Sequence, residues 1–216
     1  LFGAWVQKTT GHRVVVENLS QHDNLTAARM AHELPKDPLQ TDAIESADVV
    51  LLDIGFNDTP WNSLDDACDG DHGFFDGNAN ASWTALLGPC LQIELRRYHA
   101  NLDKILTEID SLRAGRPTAV RLTTQYSDFG GPPGNICCPP IATKVAAKVK
   151  VAFNEVECQV ASAHNDGCVD LLHPFNGSNG TTWPGDLIGP DGTHPSAAGH
   201  QKIAERLEAS GVAPLS

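Results

Sequence analysis

Hydrophobic positions along the chain fall into two patterns: short, nearly unbroken apolar runs, and longer stripes at intervals of three and four. The strongest run spans Asp48 to Ile54, where Val49, Val50, Leu51, Leu52 and Ile54 are apolar on both parities. That is the pattern of a strand covered on both faces, as in a parallel sheet. Arg13–Leu19, with Val14, Val15 and Val16, predicts a buried β-branched strand; Thr118–Thr124 and Cys168–Leu172 predict two more. The helical stripes lie between them. Leu25, Ala28 and Leu34 mark a helix over Asn24–Leu34 that Pro35 stops. Leu95, Tyr98, Leu102, Ile105, Ile109 and Leu112 mark a long one over Leu91–Arg113, closed by Gly115 and Pro117. Ile141, Val145, Val149, Ala152, Val156 and Val160 mark another. Phe2, Trp5 and Val6, ending at Gly11, predict a helix tail, and Gln201–Ser210, with Ile203 and Leu207 on one face and Gly211 as a stop, a final helix. Strands alternating with helices, without an internal repeat or linker, predict one domain over 1–216: a three-layer α/β/α sandwich with a parallel sheet.

At 216 residues the chain supports one full-sized core. Its net charge of −12 argues against nucleic acid or an anionic membrane surface as a partner, and no apolar run approaches a membrane span. The chain starts at Leu1, with neither an initiator Met nor a signal peptide, and so reads as a processed or trimmed product. Six cysteines lie in or beside Gly/Pro/Asp-rich stretches rather than at zinc-finger spacings, which predicts disulfides and a secreted or otherwise extracytoplasmic protein. Proximity favours Cys68 with Cys90, leaving Cys137 and Cys138 to reach Cys158 and Cys168.

Ligands of parallel α/β sheets sit beyond the carboxyl ends of the strands. Gly55-Phe56-Asn57-Asp58 follows the strongest strand there: the glycine permits a tight turn, and the Asn57 amide is a suitable oxyanion donor. Asp191 and His194 lie three residues apart in the loop entering the last helix, with Pro195 and Ser196 at its start. A histidine held by a carboxylate is the general-base half of a nucleophilic triad.

Taken in this order on an α/β chain, Gly55-Phe56-Asn57-Asp58 and Asp191-Gly192-Thr193-His194-Pro195 resemble the blocks of the SGNH (GDSL-type) hydrolase family, over about Trp5 to Leu207. The resemblance implies a flavodoxin-like sheet, His194 as base, Asp191 orienting it and Asn57 in the oxyanion hole. It implies action on carboxylic esters of lipids, sugars or small alcohols, without metal or organic cofactor. Two blocks depart from the family pattern. Its second block places a glycine after the strand matching Val14–Leu19; here the stretch runs Asn18-Leu19-Ser20-Gln21-His22-Asp23-Asn24, and the Asp23 backbone N–H takes about that place. The opening Gly-Asp-Ser block, which supplies the nucleophile on the first, central strand, does not occur in the chain. In the strand order 2-1-3-4-5 its absence leaves two strands with unpaired edges, at a cost of about 1–3 kcal/mol per buried group. The expectation is therefore a nucleophilic serine upstream of Leu1, on a complementing N-terminal segment or a separate peptide. Ser20 is the one serine in the chain weighed as a replacement. The alternatives are a non-catalytic binding or structural module that lost its nucleophile, and a catalytic half completed by a partner chain.

Other features take plainer readings. Asp65, Asp66, Asp69, Asp71 and Asp76 with Asn78 and Asn80 lack the glycine and glutamate of a calcium loop and read as a solvated acidic loop. His22, His72, His99, His164, His173 and His200 read as surface or capping residues, His22 sharing the rim. Trp61 and Trp83 read as core, with the wall of an acyl or sugar site as the alternative. Asn18, Asn24, Asn80, Asn176 and Asn179 begin glycosylation sequons.

Overall fold

The computed structural model describes residues 1–21, 24–61, 68, 83–130 and 140–215. In chain order it contains α1 (Phe2–Thr10), α2 (Ala27–Glu33), α3 (Pro38–Ser46), β1 (Val49–Leu52), α4 (Pro89–Arg113), β2 (Ala119–Thr123), α5 (Pro140–Ala163), β3 (Gly167–Val169), α6 (Leu172–Asn176) and α7 (Ala197–Ser210), with short 3-10 turns between some of them. The strands form one parallel sheet in the order β1-β2-β3, Leu52 opposite Leu122 and Leu122 opposite Cys168.

Alternation along the strands decides what each face buries. Val50, Leu52, Val120 and Leu122 enter the larger core, with Leu102, Ile105 and Ile109 of α4 and Val145, Val149 and Phe153 of α5. Val49, Ala119 and Val169 turn the other way, onto Phe2 and Val6 of α1 and Leu207 of α7. The result is a three-layer α/β/α sandwich. Local chemistry sets the helix ends. Thr26 caps α2 by accepting from the Arg29 N–H, Asp37 caps α3, and Gly11 ends α1 in the left-handed region.

Two expectations are corrected. Arg13–Leu19 forms no strand: Val15 and Val16 are 71% and 74% exposed, and the Val14 N–H donates to the side chain of Gln7. A β-branched run becomes a strand only where a neighbouring strand takes up its backbone groups, and no strand among the described residues pairs with it. Pro35 ends α2 as expected: the helix stops at Glu33, with Leu34 as its C-cap. The chain tightens into a 3-10 turn over Leu34–Lys36 and restarts at Pro38, where proline suits a first turn. Cys158 and Cys168 pair with each other, across a Cα–Cα distance of 5.1 Å, because β3 runs directly beneath the end of α5. Cys68 pairs with Cys90 as expected. Cys137, Cys138, the acidic residues from Asp65 to Asp76 except where Cys68 stands, Asn78, Asn80, His22, His72 and Asp23 lie outside the described residues.

Candidate active site

Three loops converge on the carboxyl ends of the strands. The first leaves β1. Gly55 there has φ +114°, and a Cβ on it would collide with Tyr98 Oη and Gln125 Nε2. Only glycine lets the backbone pass under these two side chains. Tyr98, buried on α4, donates to the Ile54 carbonyl at 3.0 Å and fixes the end of the strand. The following 3-10 turn, Phe56–Asp58, is anchored outward. Asn57 Nδ2 donates to the Leu25 carbonyl at 3.0 Å, and both Asp58 oxygens accept from the Ala27 N–H at 3.0 Å. Burial pushes the Asp58 carboxyl up to about 6 against the lowering effect of that N–H, with Glu94 adding to the rise. A carboxamide carries two N–H bonds. Leu25 takes one and thereby fixes the Asn57 amide.

The second loop continues from β2. Side chains replace the neighbouring strand for Gln125 and Ser127. Asn154 of α5 accepts from the Gln125 N–H and donates to its carbonyl, both at 2.9 Å. Asn176 of α6 accepts from the Ser127 N–H at 2.8 Å and donates to its carbonyl at 2.7 Å and to Thr182 O at 2.9 Å. Lys150, fully buried, donates to Gln125 Oε1 and lies 4.2 Å from the Phe56 ring centroid. Burial lowers its ammonium to about 8, against Asp128, Glu157 and Asp53. These clamps escaped the sequence reading, since isolated asparagines inside apolar stripes are the only signal. Asn176, being fully buried and tied on both sides, is also withdrawn from the sequon set.

The third loop bears the dyad. Ile188 and Pro195 bridge antiparallel, and the Gly189 N–H donates to the His194 carbonyl at 2.7 Å. Ser196 caps α7 through the Gly199 N–H, and Gly199 has no Cβ because the Leu187 carbonyl occupies its place. At the tip, Asp191 Oδ1 accepts from the Thr193 and His194 N–H groups at 3.0 Å each, while Oδ2 lies 2.7 Å from His194 Nδ1. The Thr193 N–H, the imidazole and the His194 N–H together hold the Asp191 carboxyl down at about 2. The carboxylate stays ionised and accepts a hydrogen bond from Nδ1–H, leaving Nε2 as the ring nitrogen without a proton. The imidazole is 80% exposed.

The structure thus joins Asp191 to His194 and places Asn57 on the same rim. Lys150, against Phe56, and His194 both act electrostatically on Asp128. Ser20 is exposed, with its hydroxyl 2.5 Å from Asn18 Oδ1, and no hydrogen bond joins it to His194 among the described residues. Trp61 and Trp83 pack in a buried aromatic cluster with Phe129, so they belong to the core. A second Asp-x-x-His pair went unnoticed in the sequence: Asp170 Oδ2 lies 2.9 Å from His173 Nδ1 just after β3. His164 is likewise no plain surface residue, since it bridges Asp110 and Asp103 at 2.8 and 3.1 Å.

The described residues thus bring an Asp–His dyad and a fixed amide to the carboxyl rim of a parallel sheet. The sequence matches the family model of the GDSL-like lipase/acylhydrolase family over residues 1–202, and the chain belongs to that family. No curated protein sequence matches it. Phospholipase A1 from Streptomyces albidoflavus is similar in structure, with TM-score 0.62 and 15% identity, over 87% of this chain and 77% of that one. An extracellular lipase from Streptomyces rimosus gives TM-score 0.58 and 19% identity over 87% and 77% of the two chains. A variant of an acetyl xylan esterase from Geobacillus stearothermophilus gives 0.56 and 20% over 98% and 79%. At these identities the structural likeness speaks for the fold.

Proposed function

We propose that this protein hydrolyses carboxylic esters through a serine acyl-enzyme, with His194 as general base, Asp191 as its orienting carboxylate and Asn57 as an oxyanion donor. The observation carrying this reading is the 2.7 Å Asp191–His194 bond beneath an exposed imidazole. In the proposed cycle His194 Nε2 takes the serine proton as the serine oxygen attacks the ester carbonyl. The remaining Asn57 N–H meets the oxyanion, and His194 returns the proton to the departing alcohol. Water then repeats the sequence on the acyl-enzyme. Neither step calls for a metal or organic cofactor.

The serine belongs, in this proposal, to a strand that pairs with β1 on the edge away from β2. That edge carries no strand among the described residues, and Leu51 and Asp53 are exposed along it. Val15 and Val16 are exposed too, an apolar segment that pairs with no strand among the described residues. An edge with apolar, unpaired surroundings favours strand addition. A segment preceding Leu1, or a separate peptide, is the proposed source. The Cys68–Cys90 and Cys158–Cys168 disulfides favour an extracytoplasmic setting. The lipid and acetyl-sugar names of the similar structures favour a lipid or sugar ester as substrate.

The test is hydrolysis of p-nitrophenyl acetate by the full-length protein, with fluorophosphonate labelling. Activity that His194→Ala abolishes, with label on a serine outside the present sequence, is the expected result. Retained activity in His194→Ala refutes the base. A full-length protein that is inert and unlabelled refutes the enzyme and favours a binding module.

A further inference from the structure

The dyad sits on a loop that is closed at its base and open at its tip. The Gly189 N–H on the His194 carbonyl and the Ser196 N–H on the Leu187 carbonyl secure the base on either side of the Ile188–Pro195 bridge. Asp191 organises the tip internally, but none of these contacts fixes the tip against the sheet. The imidazole cannot provide that anchor itself, being 80% exposed. Tyr126 reaches the tip from elsewhere in the fold: its Oη donates to the Thr193 carbonyl at 2.7 Å, next to a side-chain hydrogen bond between Asp128 and Thr193.

Tyr126 is unusually well placed to hold it. Its chain neighbours, Gln125 and Ser127, are each clamped on both backbone groups by a buried asparagine. Its ring stacks on Phe175 at 4.6 Å and 15°. The phenol is therefore presented from backbone fixed on both sides and from a ring fixed in plane. Beside it, the Asp128 carboxylate lies against the Thr193 hydroxyl.

We propose that Tyr126 is a positioning residue, its hydroxyl tethering Thr193 so that the His194 imidazole is held in register with the reacting serine. This rests on the reading of His194 as the base. Displacing a catalytic group by about 1 Å costs on the order of 100-fold in rate. Tyr126→Phe keeps the stacked ring and the Asp128–Thr193 contact, and removes only the hydroxyl bond to the Thr193 carbonyl.

The experiment compares Tyr126→Phe with wild type in the full-length protein. Steady-state ester hydrolysis is measured alongside hydrogen–deuterium exchange of the peptide covering residues 189–196. The expected result is a kcat lowered roughly 10–100-fold at a KM within about twofold, with faster exchange across that peptide. A solely structural role would lower the melting temperature and leave kcat of the folded fraction unchanged, which overturns the proposal. So does unchanged exchange in 189–196. If wild type itself is inert, the reading of His194 falls, while the exchange result still decides whether Tyr126 holds the loop.

Discussion

Replacing Gly55 by alanine tests whether the end of β1 is built as described. The backbone there has φ +114°, a region that costs a residue with a Cβ about 1–3 kcal/mol. The new methyl would overlap Tyr98 Oη and Gln125 Nε2, both on buried side chains, and would stand 2.7 Å from Tyr98 Cζ. Tyr98 must then give up its bond to the Ile54 carbonyl, and leaving buried partners unpaired adds about 1–3 kcal/mol. Gly55→Ala should therefore lose roughly 2–6 kcal/mol. Urea unfolding followed by tryptophan fluorescence gives the number, provided the denaturant slope is unchanged. Tyr98→Phe removes the atom that the methyl strikes first. The double variant should be less destabilised than the two single losses added together, by about 1 kcal/mol or more. A Gly55→Ala loss under about 1 kcal/mol, or full additivity with Tyr98→Phe, would refute this account.

Three further outcomes are expected. His173→Ala should leave esterase activity within about twofold of wild type although Asp170–His173 copies the Asp191–His194 spacing, because no fixed oxyanion donor has been placed near it; a loss above about tenfold would move the base assignment to His173. Burial works to lower the His164 pKa, but hydrogen bonds and charge from Asp110 and Asp103 outweigh it and raise it above 6.5. The folded state thus favours the imidazolium: the stabilisation is full below about 6.5 and fades as pH rises through the higher folded value. The stability gap between wild type and His164→Gln, read from urea midpoints, should be wider at about pH 5.5 than at about pH 8.5; a gap that widens with pH contradicts the bridge. Finally, replacing Cys158 and Cys168 by serine opens a link of sequence separation 10, which should cost about 2–3 kcal/mol in thermal or urea unfolding under oxidising conditions.

Local chemistry made much of the fold readable. The unbroken Val49–Leu52 run, the stripes of α4 and α5, and the Ser196 cap need only near neighbours to be understood. The dyad is readable for the same reason: three residues separate Asp191 from His194, and the turn between them brings carboxylate to imidazole. Val14–Val16 misled because strand propensity is a preference for a paired, half-buried surface, and pairing is not local. The disulfide of Cys158 misled for a different reason: leaving Cys137 and Cys138 as partners overlooks that β3, beneath the end of α5, carries Cys168 to Cys158 at a sequence separation of 10.

The sequence by itself determined the alternation of strand and helix, the candidate base and its carboxylate, and the glycine turn leading to Asn57. Each is encoded within a few residues, where backbone geometry leaves few choices. Only the tertiary structure decided that Asn154 and Asn176 stand in for a neighbouring strand, that Leu25 fixes the Asn57 amide, and that Tyr126 reaches Thr193. Those contacts join residues from 29 to 67 positions apart in the chain, from the Gln125–Asn154 clamp at 29 to the Tyr126–Thr193 bond at 67. No local pattern records such distances, because what selects them is the packing of helices on a sheet.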